Sequence, residues 1–185
     1  MAIVCRQKRM KSDKFFLIDE NAFPQTIAVL KTRAKGFNIK IKIADIEKTL
    51  KKESDSITGI FLQYPNKYGA IESLSAVMEL CQSKSIATIF SADILALTLI
   101  KSPGEWGADI CVGSVQRFGI PMGYGGPHAA FIATKDEYKR QLPGRIIGLS
   151  KDKYNKPAFR MALQTREQHI RRDRATSNIC TAQAL

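Results

Sequence analysis

The stretch ITGIFLQYPNKYGAIESLSAVMELCQSKSIATIF, Ile57–Phe90, decides the fold. Its first part, Ile57–Pro65, is an apolar run without polar alternation, which fits a strand covered on both faces, and Pro65 stops it. In the middle, Glu72–Lys84 sets Leu74, Val77, Met78 and Cys81 against Glu72, Ser75, Glu79 and Gln82, the spacing of an amphipathic helix. The end, IATIF (Ile86–Phe90), is a second buried strand. Strand, helix and strand in this order form a crossover unit, and a crossover joins parallel neighbours.

Outward from this unit the alternation continues. Phe15–Asp19 (FFLID) reads as a strand. Asn21–Gly36 reads as a helix: Asn21 is its expected cap, Pro24 suits the first turn, Ile27, Leu30 and Ala34 recur at helical spacing, and Gly36 ends it. Ile39–Ile43 alternates as IKIKI, a half-exposed strand with Lys40 and Lys42 on one face. Met1–Met10 reads as the end of a helix with Ile3, Val4 and Cys5 on one side, and KKESDS (Lys51–Ser56) as a polar connection. Beyond Phe90, Ile110–Ser114 and His128–Thr134 are two more strands, and Asp136–Gln141 is a short helix ended by Pro143 and Gly144. Ile146–Ser150 and Ala158–Leu163 form an antiparallel pair around the turn KDKYNKP, Lys151–Pro157. The fold class is α/β, a mainly parallel sheet flanked by helices, forming one partial domain over residues 1–185. Thr176–Asn178 announces a helix and the sequence ends within its first turns, so an internal fragment of a longer protein is expected.

Composition narrows the function classes. Of 185 residues 44% are hydrophobic and 25% charged, enough to build a core and unlike a disordered chain. A net charge of +12 first suggests a basic nucleic-acid-binding α/β module. The excess sits in residues 1–52 and 139–185, each net +8, whereas residues 53–138 are net −4. From Thr165 to Leu185 no aromatic side chain is available for base stacking, so nucleic acid remains the second reading. The longest apolar stretch, Ile86–Ile100, is interrupted by Ser91 and Asp93 and is too short and polar to span a bilayer. Cys5, Cys81, Cys111 and Cys180 are far apart, and with two histidines they leave no metal-site spacing, so no metal is expected.

Three segments could carry chemistry. In SADILALTLIKSPGEWGADI (Ser91–Ile110), Asp93 follows a buried strand at the end where α/β folds hold ligands. It either pairs with the ring nitrogen of a cofactor or caps a helix over Ile94–Ile100. In QRFGIPMGYGGPHAAF (Gln116–Phe131), Gly119, Gly123, Gly125 and Gly126 specify a constrained loop. That loop either cradles an anion or makes a tight connection between strands, and it matches neither nucleotide-binding glycine pattern. In QTREQHIRRDRATSNICT (Gln164–Thr181), Arg166, Arg171, Arg172 and Arg174 accompany His169, a set suited to phosphate, to carboxylate or to ion pairs between subunits.

Together these segments, with VGSVQRFGIPMGYGGPHAAFIATKDEYKRQLPGRIIG and ALQTREQHIRRDRATSNICTAQAL, closely resemble the glycine decarboxylase family, the pyridoxal-phosphate-dependent P-proteins of the glycine cleavage system. NAFPQTIAVLKTRA and GIFLQYPNKYGAIE match more loosely. The resemblance is to the N-terminal half or N-terminal subunit of the enzyme. It implies a fold-type I large domain, glycine as substrate, and transfer of the aminomethyl group to the lipoyl arm of the H-protein. It implies as partners a C-terminal catalytic half or subunit and the lipoylated H-protein, in a dimer or heterotetramer with no membrane. It also implies the cytoplasm of a bacterium or the mitochondrial matrix of a eukaryote.

The family's catalytic half carries its cofactor lysine in a His-Lys-Thr-Phe run just before a similar glycine loop. Anchored on that loop, the lysine's position falls here on Gln116, whose amide cannot condense with the cofactor aldehyde. The resemblance therefore implies a pseudo-active site with loop residues Gln116, Gly123, Gly125, Gly126 and His128, no catalytic residue, and the attachment lysine outside this segment. Arg166, His169, Arg171 and Arg172 become candidates for an interface or for the mouth of the lipoyl channel.

Overall fold

The structure, a computed structural model, describes residues 1–121, 129–142 and 146–163. It divides into two compact units, one over Met1–Lys135 and one that begins at Asp136. In the first, the described elements run α1 (Ala2–Gln7), β1 (Phe15–Asp19), α2 (Pro24–Gly36), β2 (Ile41–Ala44), α3 (Ile46–Glu53), β3 (Ile57–Tyr64), α4 (Ser75–Ser83), β4 (Ala87–Ala92), β5 (Ile110–Ser114) and β6 (Ala130–Thr134). The sheet order is β2-β1-β3-β4-β5-β6. The first five strands are parallel, and β6 closes the edge antiparallel to β5.

The unalternated run at Ile57–Tyr64 becomes the centre of this sheet, and every residue of β3 is buried. Leu17, Ile60, Leu62 and Phe90 join Ile46 and Leu50 of α3 and Val77, Met78 and Cys81 of α4 in one cluster. The pleat sends Gly59 to the opposite face from Ile60. A Cβ there would lie 2.8 Å from Phe16 Cε2 and 3.2 Å from Val4 Cγ1, so α1 seats against β3 because position 59 has no side chain. The chain leaves β1 toward β2, then crosses back past β1 to β3, so the carboxyl ends of β1 and β3 flank the point where strand order reverses.

Several expectations need correcting. Asn21 does not cap α2; Phe23 holds that position with Pro24 in the first turn, and the Asn21 N–H donates to Asp19 Oδ1 at 2.8 Å. The connection before Ile57 is largely helical. Asp45 caps α3 by accepting from the Lys48 N–H at 2.8 Å, and Ile46, Thr49 and Leu50 are buried. Phe16 N–H takes the Lys40 carbonyl, so β2 starts at Ile41 rather than Ile39. The amphipathic helix is shorter than Glu72–Lys84, and β4 runs on from Phe90 to Ala92. Ile94–Ile100 contains a 3-10 turn at Ala96–Thr98 in place of a full helix, and Asp136–Gln141 is also 3-10. The cap expected at Thr176–Asn178 lies outside the described residues.

In the second unit β7 (Ile146–Lys151) and β8 (Pro157–Leu163) pair antiparallel as the sequence led us to expect. Asp152 Oδ1 accepts from the N–H groups of Tyr154 and Lys156 and Asn155 takes a positive φ of 65°, which is the turn chemistry of KDKYNKP. Among the described residues no helix is long and apolar enough to cross a membrane.

Candidate functional site at the carboxyl ends of β4 and β5

Register places Ser91 of β4 beside Gln63 of β3 and Val112 of β5. The three strands therefore end side by side, and the residue after each end faces the same region. The ladder continues one step past β4: Asp93 N–H donates to the Tyr64 carbonyl at 3.1 Å. Gln63 Nε2 donates to the Ser91 carbonyl at 3.2 Å, while its buried Oε1 has no partner among the described residues.

Of the two roles the sequence left open for Asp93, the local one is seen, at a short turn in place of a full helix. Asp93 Oδ1 accepts from the Leu95 N–H at 3.0 Å, which closes the first turn of the short segment after β4. Its Oδ2 lies 3.1 Å from Arg117 Nε, an ion pair that the sequence reading missed. Arg117 stands in a 3-10 turn, Gln116–Phe118, directly after β5. That turn is fixed at both ends: Gln116 N–H donates to Ser114 Oγ at 3.1 Å, and Gly119, with φ 91°, donates its N–H to the Gln116 carbonyl. Only a residue tolerant of positive φ ends the turn in this way.

Gly113 brings the strand ends together. A Cβ there would overlap the Ala92 carbonyl oxygen and come within 2.5 Å of Phe131 Cε1. Position 113 thus sets β5 against both β4 and β6 at the level where Asp93 and Arg117 meet. The signal was present in the sequence as a glycine inside an apolar strand, which marks close approach of backbone.

Nucleophiles are poorly provided. Burial pushes the Cys81 thiol up to about 12 and that of Cys111 to about 11, so neither is a thiolate at neutral pH. Among the described residues no group of three or more His, Cys, Asp or Glu side chains is placed to hold a metal ion. Part of the surface lysine charge is met locally, by Lys42–Glu53, Lys51–Glu47, Lys84–Asp55 and Lys135–Asp109 pairs. Of the residues singled out from sequence, Asp93 and Gln116 are brought to one edge of the sheet. Gly123, Gly125, Gly126, His128, Arg166, His169, Arg171, Arg172 and Arg174 lie outside the described residues.

Comparison with known proteins gives the family. The whole chain, residues 1–185, matches the family described as glycine cleavage system P-protein. It is 54% identical over 182 residues to the mitochondrial glycine dehydrogenase (decarboxylating) of Solanum tuberosum, covering 98% of this chain but 18% of that relative. A crystal structure of glycine decarboxylase, the P-protein of the glycine cleavage system in inhibitor-bound form, superposes with a TM-score of 0.85 at 35% identity over 98% of this chain and 41% of that one. Cystathionine gamma synthase from Xanthomonas oryzae pv. oryzae shares the fold alone, with a TM-score of 0.60 at 18% identity over 75% of this chain and 36% of the other. Residues 1–185 belong to the glycine cleavage system P-protein family.

Proposed function

We propose that this chain is part of the non-catalytic half of a glycine decarboxylase and serves as scaffold and interface for a lysine-bearing half elsewhere in the same enzyme. The parent enzyme, on this reading, decarboxylates glycine with pyridoxal phosphate and passes the aminomethyl group to the lipoyl arm of an H-protein. The parent would be cytoplasmic in a bacterium and in the mitochondrial matrix in a eukaryote.

The observation that carries the reading is the pair of residues after β5. Gln116 stands where the family resemblance puts the attachment lysine, and a carboxamide nitrogen is not a nucleophile toward an aldehyde. Beside it, Arg117 holds Asp93, the carboxylate that would be wanted for a ring nitrogen. The residues present therefore do not fit covalent pyridoxal phosphate, and no step of the reaction is assigned to them. What they do is structural: Asp93, Gly113 and the Gln116–Phe118 turn fix the ends of three neighbouring strands.

Cofactor counting tests this. The full-length enzyme is expected to hold one pyridoxal phosphate per pair of related halves, measured against protein concentration. Two per pair would contradict the reading. A second test concerns the interface. Charge reversal at Arg171 and Arg172 is expected to weaken association between the halves or the KM for H-protein, and unchanged assembly and activity would discard that role.

A further inference from the structure

We infer that Arg117, by occupying Asp93, the carboxylate that a pyridoxal phosphate ring nitrogen would need, disfavours capture of pyridoxal phosphate at the ends of β4 and β5 even when a lysine is supplied at position 116. The inference rests on reading this segment as the half without an attachment lysine, and it adds a second, separable obstacle.

The geometry is specific. Asp93 comes from the end of β4 and Arg117 from the turn after β5, strands that are hydrogen-bonded neighbours. Both carboxylate oxygens are engaged, Oδ1 by the Leu95 N–H at 3.0 Å and Oδ2 by Arg117 Nε at 3.1 Å. The turn that carries Arg117 is anchored on Ser114 Oγ and closed by Gly119, so the side chain starts from a fixed backbone within reach of Asp93. A pyridine ring nitrogen is kept protonated by a carboxylate that accepts its N–H. Arg117 occupies that acceptor and never loses its own charge, so a protonated ring would face a fixed like charge. One carboxylate cannot serve both cations well.

The pair is not a strong clamp. The Arg117 side chain is 60% exposed and Asp93 31%, and exposed pairs contribute little to stability. The consequence of Arg117 should therefore appear in cofactor capture and local exchange far more than in melting temperature. Its exposure also means that it can be replaced without opening the core.

The experiment uses the full-length chain with Q116K, R117S, Q116K/R117S and Q116K/R117K. Each is saturated with pyridoxal phosphate, reduced with borohydride and mapped by mass spectrometry for the pyridoxyl group on residue 116. Capture at 116 by Q116K/R117S is expected to exceed that by Q116K by about threefold to fivefold, the effect of one adjacent, partly screened charge on a protonation equilibrium. Q116K/R117K should behave like Q116K, because lysine keeps the charge. Equal capture with and without Arg117 would overturn the inference. Backbone hydrogen exchange in R117S, which needs no new lysine, gives an independent reading: faster exchange at residues 115–119 is expected, and unchanged exchange would remove the bridging role. Failure of the parent reading looks different, namely a stoichiometric adduct on another lysine of residues 1–185 in the unaltered chain.

Discussion

Carboxylates sit at two places along the carboxyl edge of the same sheet and are held differently. At the end of β4, Asp93 is half-buried and paired with Arg117. Asp19 at the end of β1, Asp45 after β2, Glu47 in α3 and Glu72 after β3 line a cavity of about 120 Å3, and Asp45 and Glu47 pair with Lys48 and Lys51 of the same helix. Asp19 is 8% exposed, and burial raises its carboxyl pKa, opposed by the hydrogen bond from the Asn21 N–H and reinforced by the charges of Glu72, Glu20 and Asp45. Asp45 goes the other way, held low by the Lys48 N–H at the start of α3. The contrast shows that strand-end position alone does not make a ligand group. The carboxylate after β4 is paired across two strand ends with Arg117, whereas in the acidic group Asp45 and Glu47 pair with lysines of their own helix and Asp19, raised chiefly by burial, is held by the Asn21 N–H alone among the hydrogen bonds described.

The largest predicted effect breaks the β4–β5 side alone. Gly113→Ala must displace the Ala92 carbonyl or the Phe131 ring, and overpacking of this kind costs about 3 kcal/mol, the upper part of the usual range. Loss of hydrogen-exchange protection should spread over β4–β6 and leave β1 and β2 protected. Gly36→Ala, with nothing within 4 Å of the added Cβ, is the control expected to be neutral or slightly stabilising.

Next in size is the cap on the acidic side. Asp45→Ala should cost about 1 kcal/mol in the protection of α3. The Asp45 pKa is lowered in the folded chain, so its contribution is present above the ordinary carboxylate value of about 4 and fades as pH falls through the folded value. Asp45→Asn keeps a capping acceptor without titrating, and its α3 protection should not change over that acid range.

Asp93→Asn retains the acceptor for Leu95 N–H and loses the ion pair. The expected cost is at most about 1 kcal/mol, reduced by salt because both groups are partly solvated. The smallest effect has the opposite sign. Asp19→Asn preserves an acceptor for the Asn21 N–H while removing a charge that burial opposes. The folded pKa of Asp19 is raised, so the native carboxyl's contribution is intact below its unfolded value and declines as pH rises through the folded one. Asp19→Asn should therefore gain slightly over the native protein at neutral pH and show no advantage in acid.

The parts of the fold that were legible in sequence are those where one face of chemistry dominates. Ile57–Tyr64 announced a central strand because only Thr58 and Gln63 interrupt its apolar run and no charged side chain had to be accommodated on either face. The β7–β8 hairpin was legible from its turn residues, even though Leu149 and Phe159 face each other largely exposed. α3 was not legible, since Ile46 and Leu50 are the only large apolar residues in a run otherwise crowded with charge, and Asp45 was not recognised as its cap. At the candidate site, Asp93 and Gln116 could be named from their positions after strands. Arg117 could not, because its partner depends on the β4–β5 register and on Gly113 letting the strands close up, and neither is written locally. Its signal was an aspartate just past one strand and an arginine a few residues past its neighbour, usable only once the strand order is known.

The most direct measurement is borohydride reduction of the full-length enzyme saturated with pyridoxal phosphate, followed by peptide mapping of every lysine. The account predicts one equivalent of pyridoxyl-lysine in the catalytic half, outside residues 1–185, with only scattered traces on surface lysines within them. One equivalent on a single lysine inside residues 1–185 would contradict it.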